Sequence, residues 1–313
     1  MFSRVWLDFL LFVLITGEKI SFNQPRFRSG AIWNSNATAF ANESESVLFI
    51  NSNNSIYIAN KKTGEILIWY NGNNDKPSKK ISSNLSNLSS IFVTTNGDIY
   101  LDNGRIDKWI AANETWTSVM MNDTSTCYAI VIDICENLYC SMFDKHRVDK
   151  KWSNGRITTV AGSELNTLNH PWGIFVDINS DLYVADSGNN RIQLFRWNQR
   201  NGSILVGKDS STVTIELNEP SGIVLDGDRH LFIVDSGNHR IIGSDENGFR
   251  CIFGCSGESG STNDKLSNPH TMSFDSYGNI YVTDRDNHRI QKMSLSKKSD
   301  RKCAENCSKI FSF

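Results

Sequence analysis

The sequence predicts an all-β protein assembled from six copies of one four-stranded antiparallel sheet, and three observations carry that expectation. The segments LNHPWGIFVDINSDLYVADSGNNRI from Leu168, LNEPSGIVLDGDRHLFIVDSGNHRI from Leu217 and LSNPHTMSFDSYGNIYVTDRDNHRI from Leu266 align without a gap at a step of 49 residues. A fixed period in the forties is the mark of stacked supersecondary units, a propeller or a solenoid. Each unit also divides into short apolar runs separated by Asp, Asn, Gly and Ser, the pattern of strands and tight turns. Finally, no stretch beyond the first 20 residues shows helical periodicity.

In the unit from Leu168 the strands are GIFVD, LYVAD, RIQLF and SILVG. One such meander cannot bury both faces alone, so it must pack against its copies around an axis. Anchoring on the second strand finds weaker copies upstream. Tyr57, Tyr100 and Tyr139 precede Tyr183, Phe232 and Tyr281 at separations of 43, 39, 44, 49 and 49 residues. In the third copy His146, Arg147 and Val148 stand where Asn190, Arg191 and Ile192 do, and Asp133 stands where Asp177 does. The second copy is compressed ahead of Arg105, and the first has Glu65 in place of the arginine. The sixth lacks a clear fourth strand, whereas NATAFAN near the N-terminus resembles the fourth strand at 158–162. Residues 37–41 are therefore expected to complete the last sheet and close the ring, which leaves no edge unpaired.

Residues 1–20 read as a secretory signal, with Arg4 ahead of an apolar stretch from Val5 to Ile15 and small or polar residues at Thr16 and Gly17. That stretch is short for a membrane span, which needs about 20 apolar residues, and no second one follows. The expected organisation is a signal at 1–20, the repeat domain at 21–295 and a charged tail at 296–313. Lys and Arg (32) nearly balance Asp and Glu (34) for a net charge of −2, and no basic patch stands out, so nucleic acid is not an expected partner.

Asn-x-Ser/Thr sequons at Asn36, Asn42, Asn84, Asn87, Asn113, Asn122 and Asn201 fit a secreted glycoprotein. Asn53, ahead of a strand, and Asn306, whose middle residue is a cysteine, are left out of that set. Seven cysteines are too few to be the main scaffold. Cys127 and Cys140 flank a turn near Ile134 almost symmetrically, so a cross-hairpin disulfide is reasonable. Cys251 and Cys255 are spaced to close a small loop, Cys303 and Cys307 to do the same in the tail, and Cys135 is left as the odd thiol.

The motif P-x-G-[IL]-x-[VL]-D followed by [LI]-[YF]-[IV]-x-D-x-x-N-[NH]-R-[IV] resembles the NHL repeat, strongly in the last three copies and more faintly upstream. The resemblance implies a six-bladed β-propeller of four-stranded antiparallel blades, with the N-terminal strand closing the last blade. His270 and Thr271 depart from the small residue and the glycine usual after the proline.

The recurring sets Asp186/Asn189/Arg191, Asp235/Asn238/Arg240 and Asp284/Asn287/Arg289 read as structural. Asp and Asn are expected to cap the turn onto backbone groups, and Arg to pair with a carboxylate or carbonyl. Function belongs where the copies differ. The loops before each proline (His170, Glu219, Asn268) and the positions after it (Trp172, Ser221, His270), with Arg285, are the expected lining of a binding face. Trp109, Trp152 and Trp197 follow third strands and read either as blade packing, the default, or as exposed anchors. GCSGESGSTND reads as a flexible loop between units.

Similarity in fold to the peptidyl-hydroxyglycine amidating lyase would make His270 a zinc ligand and Arg285 an active-site group. A catalytic zinc needs about three protein ligands, and the matching positions hold Trp172, Ser221, Tyr128 and Ser90. No metal, cofactor or catalytic set is therefore expected. The sequence favours a secreted, non-catalytic module binding a protein, peptide or glycan. Two alternatives stand beside it: a metal-dependent propeller enzyme, and the recognition arm of a ubiquitin ligase, for which the chain has no RING-like array.

Overall fold

A computed structural model describes residues 21–42, 46–72, 76–83, 88–120, 126–162, 168–211 and 215–296. The expected signal, the tail beyond 296, Asn84, Asn87, Asn122, Cys303 and Cys307 lie outside them. The described residues form six four-stranded antiparallel sheets. Blade 1 has strands Ser46–Ile50, Ile56–Asn60, Glu65–Trp69 and Lys79–Ser82. Blade 2 has Ser90–Val93, Ile99–Asp102, Ile106–Ile110 and Thr115–Met120, and blade 3 has Cys127–Ile132, Leu138–Met142, Arg147–Lys151 and Ile157–Ala161. Blade 4 follows with Pro171–Val176, Leu182–Asp186, Arg191–Phe195 and Ser203–Gly207, and blade 5 with Pro220–Leu225, Leu231–Asp235, Arg240–Asp245 and Gly248–Phe253. Blade 6 contributes Pro269–Phe274, Ile280–Asp284 and Arg289–Met293.

Its fourth strand is Thr38–Ala41, which pairs antiparallel with Arg289–Met293 and sets Thr38 opposite Lys292. First strands of neighbouring blades touch all the way round, blade 6 against blade 1 included. The chain is a closed six-bladed β-propeller.

The second strands are buried on both faces in most blades, which is why they read as continuous apolar runs rather than alternating ones. Each buried Ile, Leu, Val or Phe contributes about 1.5–3 kcal/mol. Aromatic contacts cross between blades, as where Phe49 meets Phe92 at 5.0 Å. Near the axis the first strands approach so closely that a Cβ on Gly173 would sit 2.2 Å from the Ser221 carbonyl oxygen. Blade 6 carries Thr271 instead, whose backbone N–H donates to Thr283 Oγ1 at 2.8 Å.

The recurring aspartate is the hub of each regular blade. Asp186 is fully buried. Its Oδ2 accepts from Asn189 Nδ2 (2.9 Å), Arg191 Nε (2.8 Å) and Gln193 Nε2 (2.8 Å), and its Oδ1 from the Asn169 N–H (2.6 Å). Asp235 gathers Asn238, Arg240 and the Asn218 N–H, and Asp284 gathers Asn287, Arg289, Gln291 and the Ser267 N–H. The expected cap is thus corrected in one respect. The asparagine donates to the aspartate side chain, because a carboxylate without access to water needs every nearby donor.

Blade 3 has Met142 at the hub position, and Arg147 turns to Asp149 two residues on (Nη2 to Oδ2, 2.9 Å). Blade 2 keeps Asp102 but sends Arg105 to Asp107 at 3.0 Å. Asp102 is then buried with Oδ2 unpartnered. Burial pushes its carboxyl up to about 6, against a bond from the Gly104 N–H. The folded state therefore holds this proton more tightly than the unfolded chain does. The resulting stability is present below pH about 4 and lost as pH rises through 6. Asp102→Asn is expected to raise stability by about 2 kcal/mol at pH 7.5, with the gain vanishing below pH 4, in urea titrations across pH.

The first 16 described residues do more than lead into the closing strand. They cross the face that carries the turns between first and second strands. Phe22 bridges to Asn51 and meets the ring of Phe175 at 5.0 Å. Asn23 donates to the Asn51 and Phe274 carbonyls, Gln24 to that of Leu225, and the Gly227 N–H donates to Pro25. Phe27 and Trp33 then pack with Phe232 and Phe274, and the Trp33 indole donates to the Gly278 carbonyl at 2.9 Å. One segment so fastens blades 1, 4, 5 and 6.

Both expected disulfides are formed, Cys127–Cys140 with Cα atoms 5.3 Å apart and Cys251–Cys255 with 5.7 Å. The first spans a bulge, since Cys127 faces Met142 while Cys140 faces Ile130. Cys135 is an exposed thiol on the blade 3 turn. The glycine-rich loop is tied to blade 6, where Arg289 donates to the carbonyls of Ser261, Thr262 and Lys265. Trp197 does not pack between strands; it is 64% exposed.

Candidate functional site

The disc has two faces. One, the loop face, carries the loops before each first strand and the turns between second and third strands. The other, the turn face, carries the remaining hairpin turns and the N-terminal segment.

On the loop face, the 3-10 turns after the second strands end in a left-handed residue: His146, Asn190 and His239, with φ of 53–55°. Asn and His tolerate that conformation better than branched residues. Each then reaches the next blade. His146 Nδ1 accepts from the His170 N–H (3.0 Å), Asn190 Oδ1 from Glu219 (2.9 Å) and His239 Nδ1 from Asn268 (3.1 Å). The three residues before the prolines are therefore inter-blade ties through their backbones, all with φ of 48–49°.

The residues after the prolines diverge. Ser221 is buried, and its hydroxyl lies 2.6 Å from that of Ser236 and donates to the His270 carbonyl at 2.7 Å, so it holds blade 5 to blade 6. His270 is 5% exposed, not an open polar group at the rim. Burial pushes its imidazole down to about 3, with Lys61 and Arg285 adding to the effect, so the ring is neutral at physiological pH.

Around it lies an aromatic cluster drawn from three blades. Trp172 stands edge-on to His270 at 4.6 Å and to Tyr128 at 4.9 Å. Tyr128 stacks on Phe143 at 4.6 Å, and Phe143 meets His170 at 4.5 Å. The Trp172 indole N–H is buried without a hydrogen-bond acceptor. Burial and Asp144 push the Tyr128 phenol up, while Arg285 opposes them. Arg285 is exposed, and its charge acts on both His270 and Tyr128.

The structure thus brings together Trp172, His170 and His270 from the expected lining, with the charge of Arg285 felt there. It assigns Ser221 to packing and does not group Glu219 or Asn268 with them. Tyr128 and Phe143 were not in the expected lining, although Tyr128 occupies the position of Trp172 in its blade. Among the described residues no group of three His, Cys, Asp or Glu side chains is placed to hold a metal ion. Nor is any described helix long and apolar enough to cross a membrane.

The turn face holds a cavity of about 380 Å³ lined by blades 2, 3 and 4 and by Phe22. Nothing in the repeat motif announces it, because motif residues such as Asp133, Val176 and Asp177 meet there with turn residues of neighbouring blades that the motif does not specify.

These features define a closed six-bladed propeller with an aromatic cluster at the mouth of its loop face. Residues 168–195, 217–243 and 266–293 match the NHL repeat model, and the chain is a six-bladed β-propeller built with NHL repeats. No curated protein matches it in sequence. Among solved structures it is similar to an auxiliary nutrient binding protein from Bacteroides ovatus, with 14% identity over 89% of this chain and 76% of that one and a TM-score of 0.66. It is also similar to virginiamycin B lyase from Staphylococcus aureus, with 14% identity over 83% and 98% of the two chains and a TM-score of 0.59. A chain of a nidogen/laminin complex gives 16% identity over 74% and 85% and a TM-score of 0.58. At these identities the likeness is one of fold.

Proposed function

We propose that this protein is a secreted, glycosylated, non-catalytic binding module that takes a protein, peptide or glycan on the loop face. The observation that carries the reading is the aromatic mouth: Trp172, Tyr128, Phe143 and His170, half-buried on a closed ring, with an indole donor lacking an acceptor and the exposed Arg285 charge acting on Tyr128. Partly exposed aromatic rings with a directed donor supply contact area at low entropic cost. The compartment is supported by two disulfides and by exposed sequons at Asn36, Asn42, Asn113 and Asn201. Nucleic acid is not part of the proposal.

The test is capture of ligand from extracellular fluid by the full secreted chain, compared with Trp172→Ala and Arg285→Ala. Loss of the captured species in both variants, at a melting temperature within a few degrees of the parent for Arg285→Ala, supports the reading. Equal capture by all three removes the loop face from the account. Stoichiometric zinc or calcium in the pure protein, lost on His270→Ala, would favour the enzyme reading instead.

A further inference from the structure

We propose that the turn-face cavity is a second ligand site, for a molecule carrying an ammonium group on an apolar body. It is independent of the loop-face reading. Its volume of about 380 Å³ lies within the range of small-molecule sites. The inner wall is apolar, from Phe22, Phe92, Ile132 and Val176, and Ile178 stands at the rim, half exposed.

Charge on the remaining wall selects the ligand. Lys108, the cation among the lining residues, is held by Asp98 at 2.8 Å and lies over the Tyr100 ring. Asp133 has Lys150 at 3.5 Å. An incoming carboxylate would have to take a cation from its carboxylate partner. An incoming ammonium meets no such competition, because Glu136 is exposed at the rim and makes no ion pair among the described residues. Asp177 lines the same cavity. It is paired with the Arg229 guanidinium at 2.6 Å, so it too is a held carboxylate.

The probes are tryptamine, the isosteric alcohol tryptophol and indole-3-propionate, titrated calorimetrically into the full secreted chain. Tryptamine is expected to bind about fivefold tighter than tryptophol, and the carboxylate weakest. Glu136→Gln should remove the preference for tryptamine while leaving tryptophol unchanged, and Thr95→Trp, which fills the cavity from an exposed lining position, should weaken both. Tryptamine binding no tighter than tryptophol, absent binding of all three, or binding unaffected by Thr95→Trp would overturn the proposal. A Trp-Gly-Gly peptide with a free or an acetylated N-terminus then separates sources. Binding of the free form alone assigns the site to peptide N-termini, and binding of tryptamine without either peptide assigns it to small amines. Trp172→Ala should leave tryptamine binding unchanged, so failure at one face is distinguishable from failure at the other.

Discussion

Replacing Asp186 with alanine is expected to destabilise the protein by about 3–5 kcal/mol, read as a lowered urea midpoint at pH 7. The carboxylate is fully buried and receives donors from Asn189, Arg191, Gln193 and the Asn169 backbone. Alanine removes the acceptor for all four at once and leaves the largely buried Arg191 guanidinium without this carboxylate. The magnitude comes from the orphaned donors rather than from the net worth of the ion pair. Asp186→Asn keeps the Oδ1 acceptor for the Asn169 N–H but loses the charge, and should fall between the parent and the alanine variant. A cost under 1 kcal/mol for Asp186→Ala would show that the blades do not depend on this hub. Blade 3 provides the internal comparison: with Met142 at the hub, its arginine is satisfied by Asp149, so Asp149→Ala should carry the comparable penalty there.

Trp33→Ala is expected to cost about 3–5 kcal/mol, and deletion of residues 22–45 to cost more, lowering the melting temperature markedly. Trp33 is 4% exposed, packs on Phe27 and Phe232, and donates to the Gly278 carbonyl. Its removal leaves a cavity and an unpaired carbonyl together. Deletion also strips the fourth strand from blade 6, exposing the Arg289–Met293 edge. Differential scanning calorimetry of the full chain gives the answer. An unchanged melting temperature after deletion would mean that the ring does not need its closing strand or the segment ahead of it.

The repeat was legible because every blade solves the same problem. Pro171, Asp186 and Arg191 recur at a fixed step since each sheet needs the same start, hub and pair. The two short-range disulfides were legible for a related reason: a hairpin or a four-residue loop brings its cysteines close without reference to the rest of the fold. His270 was visible as an exception, but its burial was not. Its exposure depends on how Trp172 and the neighbouring blades crowd the axis, which no local pattern records. The expectation that Trp197 packs failed similarly, because a third strand ends either under a neighbour or in solvent according to blade twist.

The path of residues 21–36 had no repeat to reveal it. Asn23, Gln24 and Trp33 find partners more than 200 residues away, at Phe274, Leu225 and Gly278. The turn-face cavity is of the same kind, assembled from turns of three blades. The sequence by itself determined the number of sheets, their strand order, the ring closure and the hub residues, because periodic local constraints repeat in the chain. Only the tertiary structure decided which side chains meet at the two mouths, since those contacts join residues distant in sequence and depend on the angle at which finished blades pack.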